Sequence, residues 1–211
     1  MAMSYTTLIA AKTTAGSIKR WVNYSELDAE QIVLEAQALL YQTLRVREMR
    51  TEFSDLSLAD GDSYKALPSG FLDPIALKDV TNNIDLRLVP EPNLIRSRVY
   101  ESAVLIDGTP QQYAIFGEKL QFEYTYESAA TLKLVGYKTP DVLATTTNET
   151  NFLTSRYPHL LRVACITQAY DFMSNMAKYQ SNLTLLSALI EKTNAESDLS
   201  YRGAEFEVGV Y

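Results

Sequence analysis

The 211-residue sequence contains one cysteine and one histidine. A lone thiol cannot close an internal disulfide, so no covalent staple within the chain holds it together. Zinc takes three or four nitrogen, sulfur or oxygen ligands, so here a site would need mostly carboxylates. Basic side chains are also in deficit: 19 lysines and arginines stand against 26 aspartates and glutamates, for a formal net charge of -7. Tight phosphate binding needs clustered Lys and Arg, which this balance does not favour. It still leaves room for a protein that surrounds a duplex without gripping it, since an acidic wall would repel the phosphates. No apolar run reaches the roughly 18–20 residues of a membrane-spanning helix. The opening MAMSYTTLIAAKTTAGSIKRW has no basic start and only LIAA as an apolar run, so it does not read as a secretory leader. The expectation is a chain assembled inside a cell, in which the Asn-x-Ser/Thr matches at Asn23, Asn148 and Asn182 carry no weight as glycosylation sites. Neither G-x-G-x-x-G nor G-x-x-x-x-G-K-[ST] occurs.

What is present is globular composition: 46% hydrophobic, 10% aromatic and a mean hydropathy of -0.12, enough to bury a core. The texture changes twice along the chain. The spacing predicts helices over about 4–22 and 25–48, a β-rich region over about 50–140, and helices over about 156–177 and 179–199. In the second helix Ser25 is a good N-cap, with Glu26, Asp28 and Glu30 at the positive end of the dipole and Arg45 and Arg47 near the negative end. Its apolar positions 32, 33, 36, 39, 40, 44 and 46 cover more than one stripe, which implies several packing partners or a neighbouring subunit. The middle alternates with period two between glycine and proline turns and reads as a small antiparallel sheet with one wet side. PEPNLIRSRVYES reads as a short helix inside it. Pro158 opens the third helix at a first-turn position where proline is tolerated.

The stretch NFLTSRYPHLLRVACITQAYDFM holds the histidine and the cysteine, with an aspartate close behind. At about 100° per helical residue, His159, Cys165 and Asp171 point roughly 120° apart and cannot form a nucleophile, base and orienter. Leu161, Ala164, Cys165, Gln168, Ala169 and Phe172 instead form one core stripe. Asp55, Asp60 and Asp62 around Gly61 do not have EF-hand spacing and read as turn residues. Paired carboxylates for glycoside cleavage come from distant segments, and nothing here points to a sugar site. Fourteen tyrosines fit either ordinary core use or extensive subunit contacts.

Taken in order, EAQALLYQTLRVREM, ADGDSYKALPSGFL, YAIFGEKLQF, TLKLVGYKTPDVL and the helix with Pro158 at its start resemble the head-to-tail adaptor proteins of short-tailed bacteriophages, from about Ile18 to Leu199. That resemblance implies an α+β, mainly α fold: a helical bundle formed from both chain ends with a small inserted antiparallel β region, residues 1–199 making a single adaptor domain. It implies a dodecameric ring under the portal, joined to tail or nozzle proteins, at the head-tail junction of a virion assembled in the host cytoplasm. DNA would pass through the ring without sequence-specific binding. No cofactor, metal or catalytic residue is carried over, and no membrane contact is expected. Within that picture Ile32, Val33, Leu40 and Leu44 are expected at the subunit interface. The tail over 200–211 alternates apolar and polar residues and is expected to dock on the portal through Tyr201, Phe206, Val208, Val210 and Tyr211. The competing readings are a virion-associated cell-wall-degrading enzyme and a tail-completion or stopper protein.

Overall fold

A computed structural model of the chain describes residues 3–94, 107–144 and 148–205. Two compact units result: Met1–Glu48 with Pro140–Tyr211, and Met49–Thr139.

The first unit is helical. The stretch expected as one helix over 4–22 is two short ones, α1 (Tyr5–Ile9) and α2 (Ile18–Trp21), each with its own serine N-cap, Ser4 and Ser17. Gly16 at φ +92 turns the chain between them, a conformation other residues rarely take. Helix α3 (Ala29–Thr43) starts later than Ser25 would place it, because Asp28 is the cap and its carboxylate accepts the Gln31 N–H at 3.2 Å. Leu27 and Ile32, the two positions of a hydrophobic staple, are both buried beside that cap. A single turn of 3-10 helix follows at Arg47–Met49. Asn151 then opens α4 (Phe152–Arg156) with a full capping box. Pro158 is at the first position of α5 (Pro158–Phe172), and the joint to α6 (Met176–Glu205) is made by Ser174 in the left-handed region. Asn175 caps the new helix through the Lys178 N–H at 3.3 Å. Helix α5 packs against both α3 and α6, while α1 packs on α3 and α2 on α5. The Arg162 guanidinium stands 4.9 Å from the centre of the Trp21 ring, tying α2 to α5.

The second unit is a sheet. Its strands are β1 (Arg50–Glu52), β2 (Leu56–Leu58), β3 (Tyr64–Ala66), β4 (Phe71–Asp79), β5 (Ile84–Leu88), β6 (Asp107–Gly108), β7 (Gln112–Phe116), β8 (Lys119–Phe122), β9 (Thr125–Tyr126) and β10 (Ala130–Lys138). Eight of them join in the order β1-β10-β4-β5-β7-β8-β3, with β2 also on β10; β6 and β9 form a separate parallel pair. Every other residue of β10 turns inward, so Ala130, Leu132 and Leu134 join Leu77, Leu86, Tyr113, Leu120 and Phe122 in one core. Asp79 is fully buried but satisfied: its carboxylate accepts the Asn82 backbone and side-chain N–H groups at 2.9 and 2.8 Å in the β4–β5 turn. Residues 91–94 are helical, and the rest of the short helix expected over PEPNLIRSRVYES lies outside the described residues.

The mainly α bundle with a small β insertion is therefore corrected. Of the described residues 41% are helical and 26% strand, and the main element is a curled sheet of eight strands. Nor is that sheet wholly antiparallel, because β5 and β7 run parallel. Strands of two to five residues, broken by turns, carry little period-two signal each. Their joining through β10, to partners on β1, β2 and β4, is a long-range event.

The curl has a local source. Between β10 and β4 the register slips twice, at Val135/Gly136 and at Tyr137/Lys138. Bulges of this kind bend a strand and accommodate Pro74, which has no N–H to give the ladder. Gly136 lies opposite Pro74, and a side chain there would bring its Cβ to 2.6 Å from the Asp73 carbonyl oxygen. The Gly136→Ala substitution is therefore expected to cost about 1–3 kcal/mol. Urea unfolding followed by fluorescence would measure it, and an unchanged midpoint would show that the bulge has room to spare.

Candidate functional site

The residues that could have formed a reactive centre are dispersed. His159 and Asp171 are exposed at opposite ends of α5, and Cys165 between them is completely buried. Burial pushes its thiol up to about 12, so at neutral pH it is an inert apolar filler. The stripe around it, Leu161, Ala164 and Ala169, is buried as well, whereas Gln168 is half-buried and Phe172 is exposed. Among the described residues no group of three or more His, Cys, Asp or Glu is placed to hold a metal ion. Asp62 uses its carboxylate to accept the Ala59 N–H at 2.7 Å, next to Gly61 at φ +80. This is turn chemistry.

What the helical unit does build is a set of ties between distant parts of the chain. Chain leaving α3 has backbone groups that the helix no longer satisfies. Asn194, on α6, accepts the Arg45 N–H at 2.9 Å and donates to the Thr43 carbonyl at 3.1 Å. One turn later Ser197 accepts the Arg47 N–H at 3.0 Å. A second tie pins the returning chain: buried Gln37 accepts the Leu143 N–H at 2.9 Å, and the Asn151 amide donates to the Tyr41 hydroxyl at 3.0 Å. Burial, helped by the Asp141 charge and opposed by the Asn151 hydrogen bond, raises the Tyr41 hydroxyl above its ordinary value.

A third tie gathers charge. Glu48 receives the Arg156 guanidinium, Arg47 Nε at 3.1 Å and the Tyr157 hydroxyl at 3.3 Å. Beside it lies a cavity of about 270 Å³ lined by Arg47, Arg156, Tyr157, Thr193, Glu196 and Ser197. Both arginines already hold Glu48, so the cluster is a polar cross-brace. None of these ties was among the sequence expectations. Asn194 and Ser197 are spaced three apart on a helix face, but nothing in the sequence says that the face meets the end of α3.

The expected interface residues have a different location. Ile32, Val33, Leu40 and Leu44 are at most 1% exposed within the chain itself. The broad apolar stripe of α3 is consumed by the protein's own core, and these four are corrected to core residues. Among the described residues, the large apolar side chains that stay exposed on the helices are Leu34 of α3, Phe172 and Met176 at the α5–α6 joint, and Leu185 of α6. In the sheet unit Tyr64 and Phe116 are exposed, with the Lys119 ammonium 4.5 Å from the centre of the Tyr64 ring. Of the expected portal-docking residues, Tyr201 falls within α6, while Phe206, Val208, Val210 and Tyr211 lie outside the described residues.

Remote segments cross-tied by side chains, with leucines and aromatics exposed and no cluster placed to hold a metal among the described residues, form a braced scaffold with apolar contact points. The chain belongs to the SU10 adaptor protein family, whose sequence model matches residues 3–204, and is accordingly a bacteriophage structural adaptor. Comparison with curated proteins finds no match.

The ties and the buried hydroxyls can each be tested. Asn194→Ala and Ser197→Ala should each destabilise the helical unit by about 1 kcal/mol, the usual net value of such a hydrogen bond, as read by chemical denaturation. Indifference of both variants would mean that water replaces the ties.

The hydroxyls set a pH dependence. Burial pushes Tyr113 up to about 12, raises Tyr41 and Tyr126 too, and raises Cys165, while unfolding returns them to their ordinary values of 10.0 and 9.0. Each contribution is complete below the ordinary value and is lost as pH climbs towards the folded one. The urea midpoint should therefore fall between pH 9 and about 12, and a flat profile over that range would contradict the burial of these groups.

Proposed function

We propose that the protein is the subunit of a dodecameric ring at the head-tail junction of the virion, joined to the portal on one side and to tail or nozzle proteins on the other. Membership of the adaptor family over residues 3–204 is the observation that carries this reading. The formal net charge of -7 is compatible with a channel that DNA crosses without sequence-specific binding, since an acidic wall keeps phosphates in motion. The protein acts without a catalytic step: its work is to hold two larger assemblies in register. Residues 1–199 act as a single adaptor domain, and the segment after it docks on the portal through Tyr201, Phe206, Val208, Val210 and Tyr211. An alternating, proline-free terminus can add to a sheet edge of a partner.

Two measurements test this. Electron microscopy of the protein mixed with portal should show closed dodecameric rings on the portal, and a single bound copy would reject the ring. Removing Phe206–Tyr211 spares α6. The shortened chain should keep its fold and lose portal affinity at least tenfold, about 1.4 kcal/mol; unchanged capture by immobilised portal would reject the docking role of the tail.

A further inference from the structure

In the helical unit α5 packs against both α3 and α6, and those two meet each other through the Asn194 and Ser197 hydrogen bonds at the end of α3. Each outer helix therefore keeps a face turned away from α5. On α3 that face carries Glu30, Leu34 and Ala38, with Glu35 at its margin about 100° round from Leu34; all four are exposed, Leu34 at 43%. At about 100° per residue, Glu30 and Ala38 lie within roughly 40° of Leu34. No lysine or arginine occurs anywhere in α3.

Helix α6 offers a flank on which two lysines outnumber one acid, Glu196. Lys178, Leu185 and Lys192 recur at seven-residue spacing and are all exposed. Each step of that spacing drifts by only about 20°, so the three form one stripe. Leu185 is 46% exposed, next in sequence to Leu186, which is buried against the unit's core. The two lysines are engaged by surface contacts of the kind that contribute little: Lys178 stands 5.1 Å from the Tyr170 ring centre, and Lys192 is 3.7 Å from Glu196.

We infer that the α3 flank of one copy, Glu30, Leu34 and Glu35, docks on the α6 flank of the next copy, Lys178, Leu185 and Lys192. The inference rests on the ring reading above and names the surface that would build it. A ring needs two different, mutually complementary patches on one subunit, which is what a heterologous contact is. Burying the two leucines against each other supplies attraction, and the opposite charges favour this pairing of flanks. The same charges oppose the symmetric alternatives, because α3 on α3 would put Glu30 and Glu35 against their own kind. Head-to-tail addition is thereby favoured over a closed pair.

Charge reversal tests this directly. The variants E30K/E35K and K178E/K192E alter exposed side chains only, and circular dichroism checks that each keeps its fold. Sedimentation of each variant alone, free and with portal, should show self-association weakened at least tenfold relative to the unaltered chain. Mixing the two variants in equal amounts should restore it, since the reversed α3 flank of one now meets the reversed α6 flank of the other. A chain carrying L34C and L185C should form head-to-tail disulfide ladders on oxidation, and Cys165 does not compete because it is buried. If both charge variants assemble like the unaltered chain, or if rings of the L34C/L185C chain form on the portal without a disulfide between neighbouring copies, the flank contact is overturned and the ring reading stands. If the unaltered chain remains a single copy both free and on the portal, the ring reading fails and the flank contact fails with it.

Discussion

Helix α5 buries Leu160, Leu161, Val163, Ala164, Cys165, Thr167 and Ala169, side chains that point around most of its circumference. A helix of that kind persists only where neighbours cover it on more than one side. The cover comes from opposite ends of the chain, α3 before the sheet unit and α6 after it. Thr167 shows how little slack the arrangement has for polar groups: its hydroxyl is fully buried and donates to the Val163 carbonyl at 2.8 Å, so it needs no outside partner. The helical unit thus depends on bringing two remote segments onto one central rod. The side-chain ties at Asn194, Ser197, Gln37 and Asn151 lie where those segments meet.

The sheet unit obeys the same logic with different parts. Strand β10 is its spine, pairing with β1, β2 and β4, and its inward residues reach the core shared by β5, β7 and β8. The β7–β8 hairpin is local and closes over Gly117 at φ +57, but the strands it must join are far away in sequence. Bulges at Gly136 and Pro74 bend the ladder, so the curl of the sheet follows from two residues chosen for what they lack, a side chain and an N–H. A protein that works by presenting surfaces benefits from both units being cross-braced, because contact geometry survives only on elements that do not rearrange.

How a contact site arises is clearest on α3. Period and burial run together along Ile32, Val33, Ala36, Leu40 and Leu44, and the sequence shows that stripe plainly. It does not show what covers the stripe. Amphipathicity says that a face must be buried, and a neighbouring copy satisfies it as well as the protein's own α5 does. Within this chain the protein's own core covers it, which moves the open apolar position to Leu34, among acids. The reactive-looking trio on α5 was resolvable from sequence because helical geometry is local: His159, Cys165 and Asp171 diverge on any straight helix.

Local rules therefore reached a long way. Pro158 at a helix start, the core stripe containing Cys165 and the alternation of β10 follow from residues a few positions apart, because turn chemistry and periodicity act over one or two turns, while the likeness to phage adaptors came from the order of such motifs along the chain. The weight of the sheet against the helices, the parallel pairing of β5 with β7, and the assignment of the α3 stripe to the core were settled by tertiary structure. These depend on which distant segments meet. That choice is made by burial summed over the whole chain, a quantity no short window of sequence contains.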